Sequence, residues 1–292
     1  MDNMDKLDDR HGVSRRDFLQ RSVAAAAALA MPATVRGSSV VRPACPSIGV
    51  QLYSVRAAMQ QDVDATLARV AGIGYRTVEF AGYFNRTAVQ IRDSLRKAGL
   101  SAPSAHVQYS ALGDEWSRVL DDAVTVGHRF VVVAWIDEAQ RGTLDDWKRI
   151  AEQFNRAGER AAKAGITFAY HNHNFEFPIM DGTSPYDLLL TSTDPKLVSM
   201  EMDVYWVTKA GKDPLAYFAR WPGRYKLLHL KDSSGPPDHQ MADVGAGVIN
   251  WKRLLKHHAQ AGVQRCFVER DESPDPFASI TASYKYLKKI SA

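Results

Sequence analysis

The chain has 292 residues, 45% of them hydrophobic and 24% charged, the ordinary range for a globular protein that buries a full apolar core. Its formal net charge of +4 is small for that length, and its basic residues are mixed with acidic ones instead of alternating with aromatics, which argues against a nucleic-acid track. With only two cysteines, Cys45 and Cys266, a disulfide-built scaffold and a cysteine-rich zinc site are excluded.

The first forty residues differ from the rest. Ser14-Arg15-Arg16-Asp17-Phe18-Leu19-Gln20 precedes an apolar, Ala-rich run from Val23 to Met31, and the two together resemble a twin-arginine signal peptide. The bland alternative is an amphipathic helix with two adjacent arginines. The apolar run is too short for a stable membrane span. The resemblance implies passage through the twin-arginine translocase, cleavage between Ala30 and Ser39, a periplasmic location, and cargo that folds before export, often around a cofactor. Residues 1–40 are therefore expected to be signal and linker, and residues 41–292 a single domain.

From residue 48 onward, short β-branched runs alternate with longer helical patterns, the signature of parallel βαβ units. Strands are expected at 48–53, 77–80, 101–106, 130–135, 166–171, 198–203, 226–230 and 266–269. Helices are expected at 64–71, 87–98, 116–126, 144–164 and 251–261, stopping at Gly72, Gly99, Gly127, Gly165 and Gly262, because glycine takes the left-handed stop conformation without a Cβ clash. The same helix-to-strand joint recurs at 71–74, 97–100, 163–166 and 260–263. Eight such units in about 250 residues fit one (β/α)8 TIM barrel. In that fold Cys45 precedes the first strand and Cys266 begins the last, so the two can meet at the lower rim.

Active sites of such barrels form at the C-terminal ends of the strands. Glu79, His106, His171, Asp203, His229 and Glu269 all fall there. Carboxylates and imidazoles together suit Mn²⁺, Fe²⁺, Co²⁺, Ni²⁺ or Zn²⁺, and an oxygen-rich set also admits Mg²⁺. A metal with open positions binds a carbonyl and its neighbouring hydroxyl, acidifies the adjacent C–H and lets a nearby base move the proton.

Ile48-Gly49-Val50-Gln51-Leu52-Tyr53-Ser54, Val78-Glu79-Phe80, Tyr170-His171-Asn172-His173-Asn174-Phe175-Glu176-Phe177, Met202-Asp203, Leu228-His229-Leu230-Lys231-Asp232 and Val268-Glu269 resemble the xylose-isomerase-like barrel superfamily, in its sugar phosphate isomerase/epimerase branch. The resemblance covers residues 48 to about 287. It implies one divalent metal ion (Mn, Mg, Co, Fe or Zn) held by Glu, Asp, His and Glu at strands five to eight. Asp203, His229 and Glu269 match the last three positions; the first falls on His171, as in relatives that include inosose dehydratases, with His173 or Glu176 as alternatives. Glu269 would also act as base, and Glu176, His173 or Lys231 as the opposing acid. Glu79 and His106 would bind substrate hydroxyls, and Tyr53, Trp135 and Trp206 would wall the sugar ring.

The implied activity is isomerisation or epimerisation of a sugar, keto-sugar or inosose through an enediolate. Elimination by a lyase or dehydratase starts from the same proton abstraction, and a non-catalytic periplasmic carbohydrate-binding barrel is the alternative of another class. An apurinic endonuclease is disfavoured because Trp135 and Trp206 stand where that branch places extra histidines. Gly245-Ala246-Gly247 reads as a turn ahead of a helix near Asn250 and not as a phosphate nest. The expected partner is a small carbohydrate, with no nucleic acid and no stable membrane span, and a homo-oligomer remains open.

Overall fold

The computed structural model describes residues 45–291; the expected signal segment lies outside them. Eight parallel strands close into a barrel: β1 (Ile48–Gln51), β2 (Thr77–Ala81), β3 (Ser101–Val107), β4 (Phe130–Val133), β5 (Thr167–His171), β6 (Val198–Asp203), β7 (Tyr225–Leu230) and β10 (Arg265–Val268). Neighbours in sequence are neighbours in the barrel, and β1 pairs with β10 to close it. A short antiparallel pair, β8 (Asp232–Ser233) and β9 (Met241–Ala242), stiffens the loop after β7. No helix among the described residues is long and apolar enough to cross a membrane.

Two-residue periodicity divides each strand between two environments. On β5, Phe168 and Tyr170 face outward onto the helix Leu144–Lys163, their rings 5.1 and 5.2 Å from that of Phe154. Ala169 faces inward, where it joins Phe130, Val132, Leu227 and Phe267 in a small apolar cluster distinct from the main core. That cluster fills the lower barrel, so the barrel is packed, not a pore. Strand register then sets the polar residues side by side above it: Gln51 opposite Glu79, Ala81 opposite His106, His171 opposite Glu201, and Asp203 opposite His229.

Local chemistry fixes where the helices begin and end. Leu144–Lys163 starts with a reciprocal box in which Thr143 Oγ1 accepts from Asp146 N and Asp146 Oδ2 accepts from Thr143 N. The helices Ala88–Ala98 and Trp116–Val126 stop at left-handed Gly99 and Gly127. Four expectations need correction. The helix Val63–Ile73 runs past Gly72 and ends at Gly74, where φ is +123° and the Tyr284 ring lies 2.7 Å from where a Cβ would sit. Helix 251–261 is broken into Trp251–Leu255 and His258–Ala261, because His258 Nδ1 takes the Leu255 carbonyl that a continuous helix would offer to Ala259. The first strand ends at Gln51, whose side chain accepts from Tyr53 N and turns Leu52–Val55 into a 3₁₀ helix; β4 likewise ends at Val133, leaving Trp135 in the loop beyond.

Cys45 and Cys266 form a disulfide across the seam where the first and last strands meet, with Cα atoms 6.2 Å apart. It links residues 221 apart, so it strongly restricts the unfolded chain. Non-reduced, denatured protein should therefore show no alkylatable thiol, and Cys45→Ser should lower unfolding free energy by about 2–5 kcal/mol. Free thiols in the non-reduced protein, or an unchanged denaturation midpoint, would contradict the bond.

Candidate active site at the barrel mouth

Above the apolar floor, the inward-facing residues at the C-terminal strand ends are almost all ionisable. Strand alternation explains their pairing: Glu201 and Asp203 on β6, His229 and Lys231 on and just beyond β7, and Glu269 and Asp271 beyond β10 are i, i+2 neighbours that share a face. They form a lower and an upper layer joined by His229.

In the lower layer, Gln51 Nε2 donates to Glu79 Oε2 over 2.8 Å, and the same oxygen lies 2.6 Å from His229 Nε2 and 3.2 Å from His106 Nε2. Glu201 Oε2 lies 2.8 Å from His106 Nε2, 3.2 Å from His171 Nδ1 and 3.2 Å from His229 Nε2. In the upper layer, His229 Nδ1 is 2.9 Å from Glu269 Oε2, and Lys231 Nζ lies 2.8 Å from Glu269, 3.2 Å from Asp203 Oδ2 and 2.8 Å from Asp271. Asp203 Oδ1 accepts from Trp206 N, which anchors the helix Val204–Lys209. Glu79, Glu201, Asp203 and His229 are fully buried and Lys231 nearly so.

Charge is unbalanced in this cluster. Burial pushes the carboxyl of Glu201 up to about 7, with the Glu79 charge adding to it, and burial with the Glu269 charge pushes Asp271 up to about 6. Asp203 is raised by burial despite Lys231. Burial alone would lower His106, but Glu79 and Glu201 hold it up to about 10; His229 is raised well above the usual imidazole range by Glu201, Glu269 and Glu79 against the same burial. His171, by contrast, is buried beside other imidazoles and is pushed well below that range. Carboxyls lifted first by burial, and at Glu201 and Asp271 also by a neighbouring carboxylate, mark a site short of positive charge.

That shortage fits a metal ion. His171, Asp203, His229 and Glu269 can each bring one ligand atom to within 4.8 Å of the others. Asp203 Oδ2 is buried and has no hydrogen-bond partner; Lys231 lies against it as an ion pair without hydrogen-bond geometry. The mixed carboxylate and imidazole set suits a first-row divalent ion. A second combination, His106, His171, Glu201 and His229, meets the same distance test one layer deeper.

Of the residues expected at the site, Glu79 and His106 sit in the lower layer and hydrogen-bond to protein partners, while Lys231 sits in the upper one. His173 packs at the mouth, its ring 5.1 Å from His171, 5.2 Å from Trp135 and 5.4 Å from Trp206. Burial lowers it to about 3, with Lys231 adding to the effect, so it is neutral. Tyr53 and Trp135 are 41% and 48% exposed at the rim. Glu201, Gln51 and Asp271 belong to the cluster but were not singled out from sequence; the i, i+2 alternation around Asp203 and Glu269 was the available signal for two of them. Gly245-Ala246-Gly247 is a turn: Gly245 N donates to Asp232 Oδ2, and a Cβ on Gly247 would collide with the Asp232 carboxylate, which also accepts from Ile249 N and Trp251 Nε1.

Glu176 departs from its expected role. Its carboxylate accepts from Tyr170 Oη at 2.6 Å and from His173 N at 3.0 and 2.9 Å, so it is directed at the outward face of β5 and its own loop. Burial pushes it up to about 7. A carboxyl raised above its unfolded value contributes full stability below that value and loses it as pH rises through about 7. Glu176→Gln, which keeps the Oε1 acceptor for Tyr170 Oη and His173 N but turns the second oxygen into an amide donor, should therefore rise in stability relative to wild type by on the order of 3 kcal/mol between acid and alkaline pH. Its kcat should stay within about threefold, whereas loss of an acid/base catalyst costs about 10²–10⁴. Denaturant titrations at pH 5 and 9, with turnover assays, separate the two.

The family model of the xylose isomerase-like TIM barrel matches residues 67–290. Among curated proteins, an inosose dehydratase of Lacticaseibacillus casei is 30% identical over 171 residues, 52% of this chain, so the match spans little more than half (57%) of that relative's length. An inosose dehydratase of Bacillus anthracis is 23% identical over 76% of this chain and 88% of its own. A solved sugar phosphate isomerase/epimerase from Parabacteroides distasonis is 29% identical, superimposes with a TM-score of 0.73, and shares 83% of this chain and 97% of its own. With a closed eight-stranded parallel barrel and a family match over most of its length, the chain belongs to the xylose isomerase-like TIM barrel family.

Proposed function

We propose that this chain is a metal-dependent enzyme that moves a proton beside the carbonyl of a keto-sugar, sugar or inosose, with isomerisation or epimerisation as the outcome. The observation that carries the reading is the convergence of His171, Asp203, His229 and Glu269 in a buried cluster short of positive charge. Those residues would hold one divalent ion. When bound, such an ion polarises a chelating carbonyl and acidifies the neighbouring C–H.

Glu269 is the base. Burial works against its charge, but Lys231 and His229 hold it ionised, well below the usual carboxylate range. A carboxylate so stabilised is a weak base, suited to taking a proton from a carbon already acidic beside a carbonyl. Lys231, kept protonated against burial by Asp203, Glu269 and Asp271, supplies positive charge and a hydrogen bond to the oxygen on which charge builds. With Glu176 turned into its loop and His173 neutral, Lys231 remains for the opposing acid. Glu79 and His106 orient His229 and Glu201 from below, and Trp135, Trp206 and Tyr53 wall the ring.

A dehydratase outcome is the second reading, favoured by the L. casei and B. anthracis relatives, both named inosose dehydratases. Both outcomes share the first step. Export through the twin-arginine translocase to the periplasm is part of the proposal; Ser14-Arg15-Arg16 supports it, as does a Cys45–Cys266 disulfide suited to an oxidising compartment.

The test is C–H exchange in deuterated water, followed by NMR, on free sugars, keto-sugars and inososes, with chelator-stripped protein and after return of Mn²⁺, Co²⁺, Zn²⁺ or Mg²⁺. Exchange should require metal and fall at least about 100-fold in Asp203→Asn and His229→Gln. Epimerised and dehydrated products separate the two outcomes. Sugar binding with no exchange under any metal would instead mark a non-catalytic carbohydrate-binding barrel.

A further inference from the structure

A crevice of ≈ 500 Å³ opens from the mouth on the side of β2, β3 and β4 and runs between those strands and the helix Trp116–Val126. Tyr53, His106 and Trp135 line it and the mouth alike, so it continues the site. His106 is the link: its Nε2 lies 2.8 Å from Glu201 in the polar cluster, while its ring borders the crevice.

The lining shows what the crevice accepts. Alanines at 105, 111 and 134 leave the space that larger residues would fill. Tyr83, His128 and the charged groups along it are engaged with one another, while Gln108 and Ser110 are the other polar side chains of the lining. Tyr83 Oη is 3.0 Å from His128 Nε2, whose Nδ1 donates to the Ala102 carbonyl, and Arg118 pairs with Glu115 and Asp122. A second sugar ring, with hydroxyls all round it, would have Gln108 and Ser110 as its partners; an apolar group packs instead on Ala105, Ala111, Val119, Val131 and Ala134. At the entrance, Trp135 is held rigid by its Nε1 bond to Asp137 and by edge contacts with His173 and Phe175, yet 48% of its surface stays exposed. A fixed, half-exposed indole beside an apolar crevice is a stacking platform. The volume lies in the range that holds a drug-sized ligand, which exceeds what one sugar ring requires.

We propose that the substrate is a keto-glycoside, a sugar with a ring carbonyl and an acetal-linked substituent, whose sugar ring lies over the polar cluster while an apolar, aromatic substituent occupies this crevice. The assignment rests on the carbohydrate reading above, but its test needs no turnover. Binding of p-nitrophenyl and methyl D-glucopyranosides, both anomers of each, is measured by calorimetry and tryptophan fluorescence on the full chain. Arylglucoside should bind at least about tenfold tighter than methylglucoside, the gain expected from ring stacking plus burial. Ala111→Phe, in the 3₁₀ helix Tyr109–Leu112 over the crevice, should abolish that difference while leaving methylglucoside affinity and the thermal midpoint unchanged. Val119→Phe fills the same space from the helix Trp116–Val126 and replaces it if the Ala111 variant does not fold. Equal affinity for the two ligands, no binding of the arylglucoside, or a preference that survives filling would overturn the assignment. An aryl preference that filling removes supports the crevice even where no C–H exchange is seen, an outcome that would count against the catalytic reading alone.

Discussion

Lys231 sits among Asp203, Glu269 and Asp271 inside a barrel whose upper interior also buries Glu79 and Glu201, and this concentration of carboxylates governs the rest of the structure. Buried carboxylates need positive partners or they take up protons. Here the partners are one ammonium and the imidazoles of His106 and His229, and the raised carboxyls of Glu201, Asp203 and Asp271 register what those partners leave unmet. A divalent ion held by His171, Asp203, His229 and Glu269, as proposed, would supply the missing charge.

The fold exists to hold that arrangement still. Phe130, Val132, Ala169, Leu227 and Phe267 plug the barrel beneath the polar layers, so water has no route from below and the charges act in a low-dielectric setting. Register between adjacent strands, not loop geometry, fixes the distances: His171 faces Glu201 and Asp203 faces His229 because β5, β6 and β7 pair as they do. The loop after β7 is gathered by one buried carboxylate, Asp232, which accepts from Ser233, Gly245, Ile249 and Trp251. Its neighbour Lys231 is thereby held at the end of a rigid strand.

The barrel was legible because several units repeat the same joint, a helix closed by glycine and followed by a β-branched run. His171, Asp203, His229 and Glu269 were legible because in this fold a polar residue at a strand's C-terminal end faces the mouth. Glu201 and Asp271 escaped notice because attention to strand ends takes one residue per strand, whereas alternation puts i and i+2 on the same face. Glu176 misled for the opposite reason: it lies in a loop, where no periodicity sets direction, and the Tyr170 hydroxyl behind β5 claims its carboxylate. The break in helix 251–261 depends on a side-chain bond from His258 that no residue pattern announces.

One measurement bears most directly on the central claim: anomalous diffraction at the metal edge from crystals of the full chain grown with Mn²⁺ or Zn²⁺. The account predicts a single peak bonded to His171, Asp203, His229 and Glu269, with Lys231 displaced from Asp203 toward Asp271. No peak in the barrel, or a peak bonded only to the deeper Glu201 and His106, would contradict it.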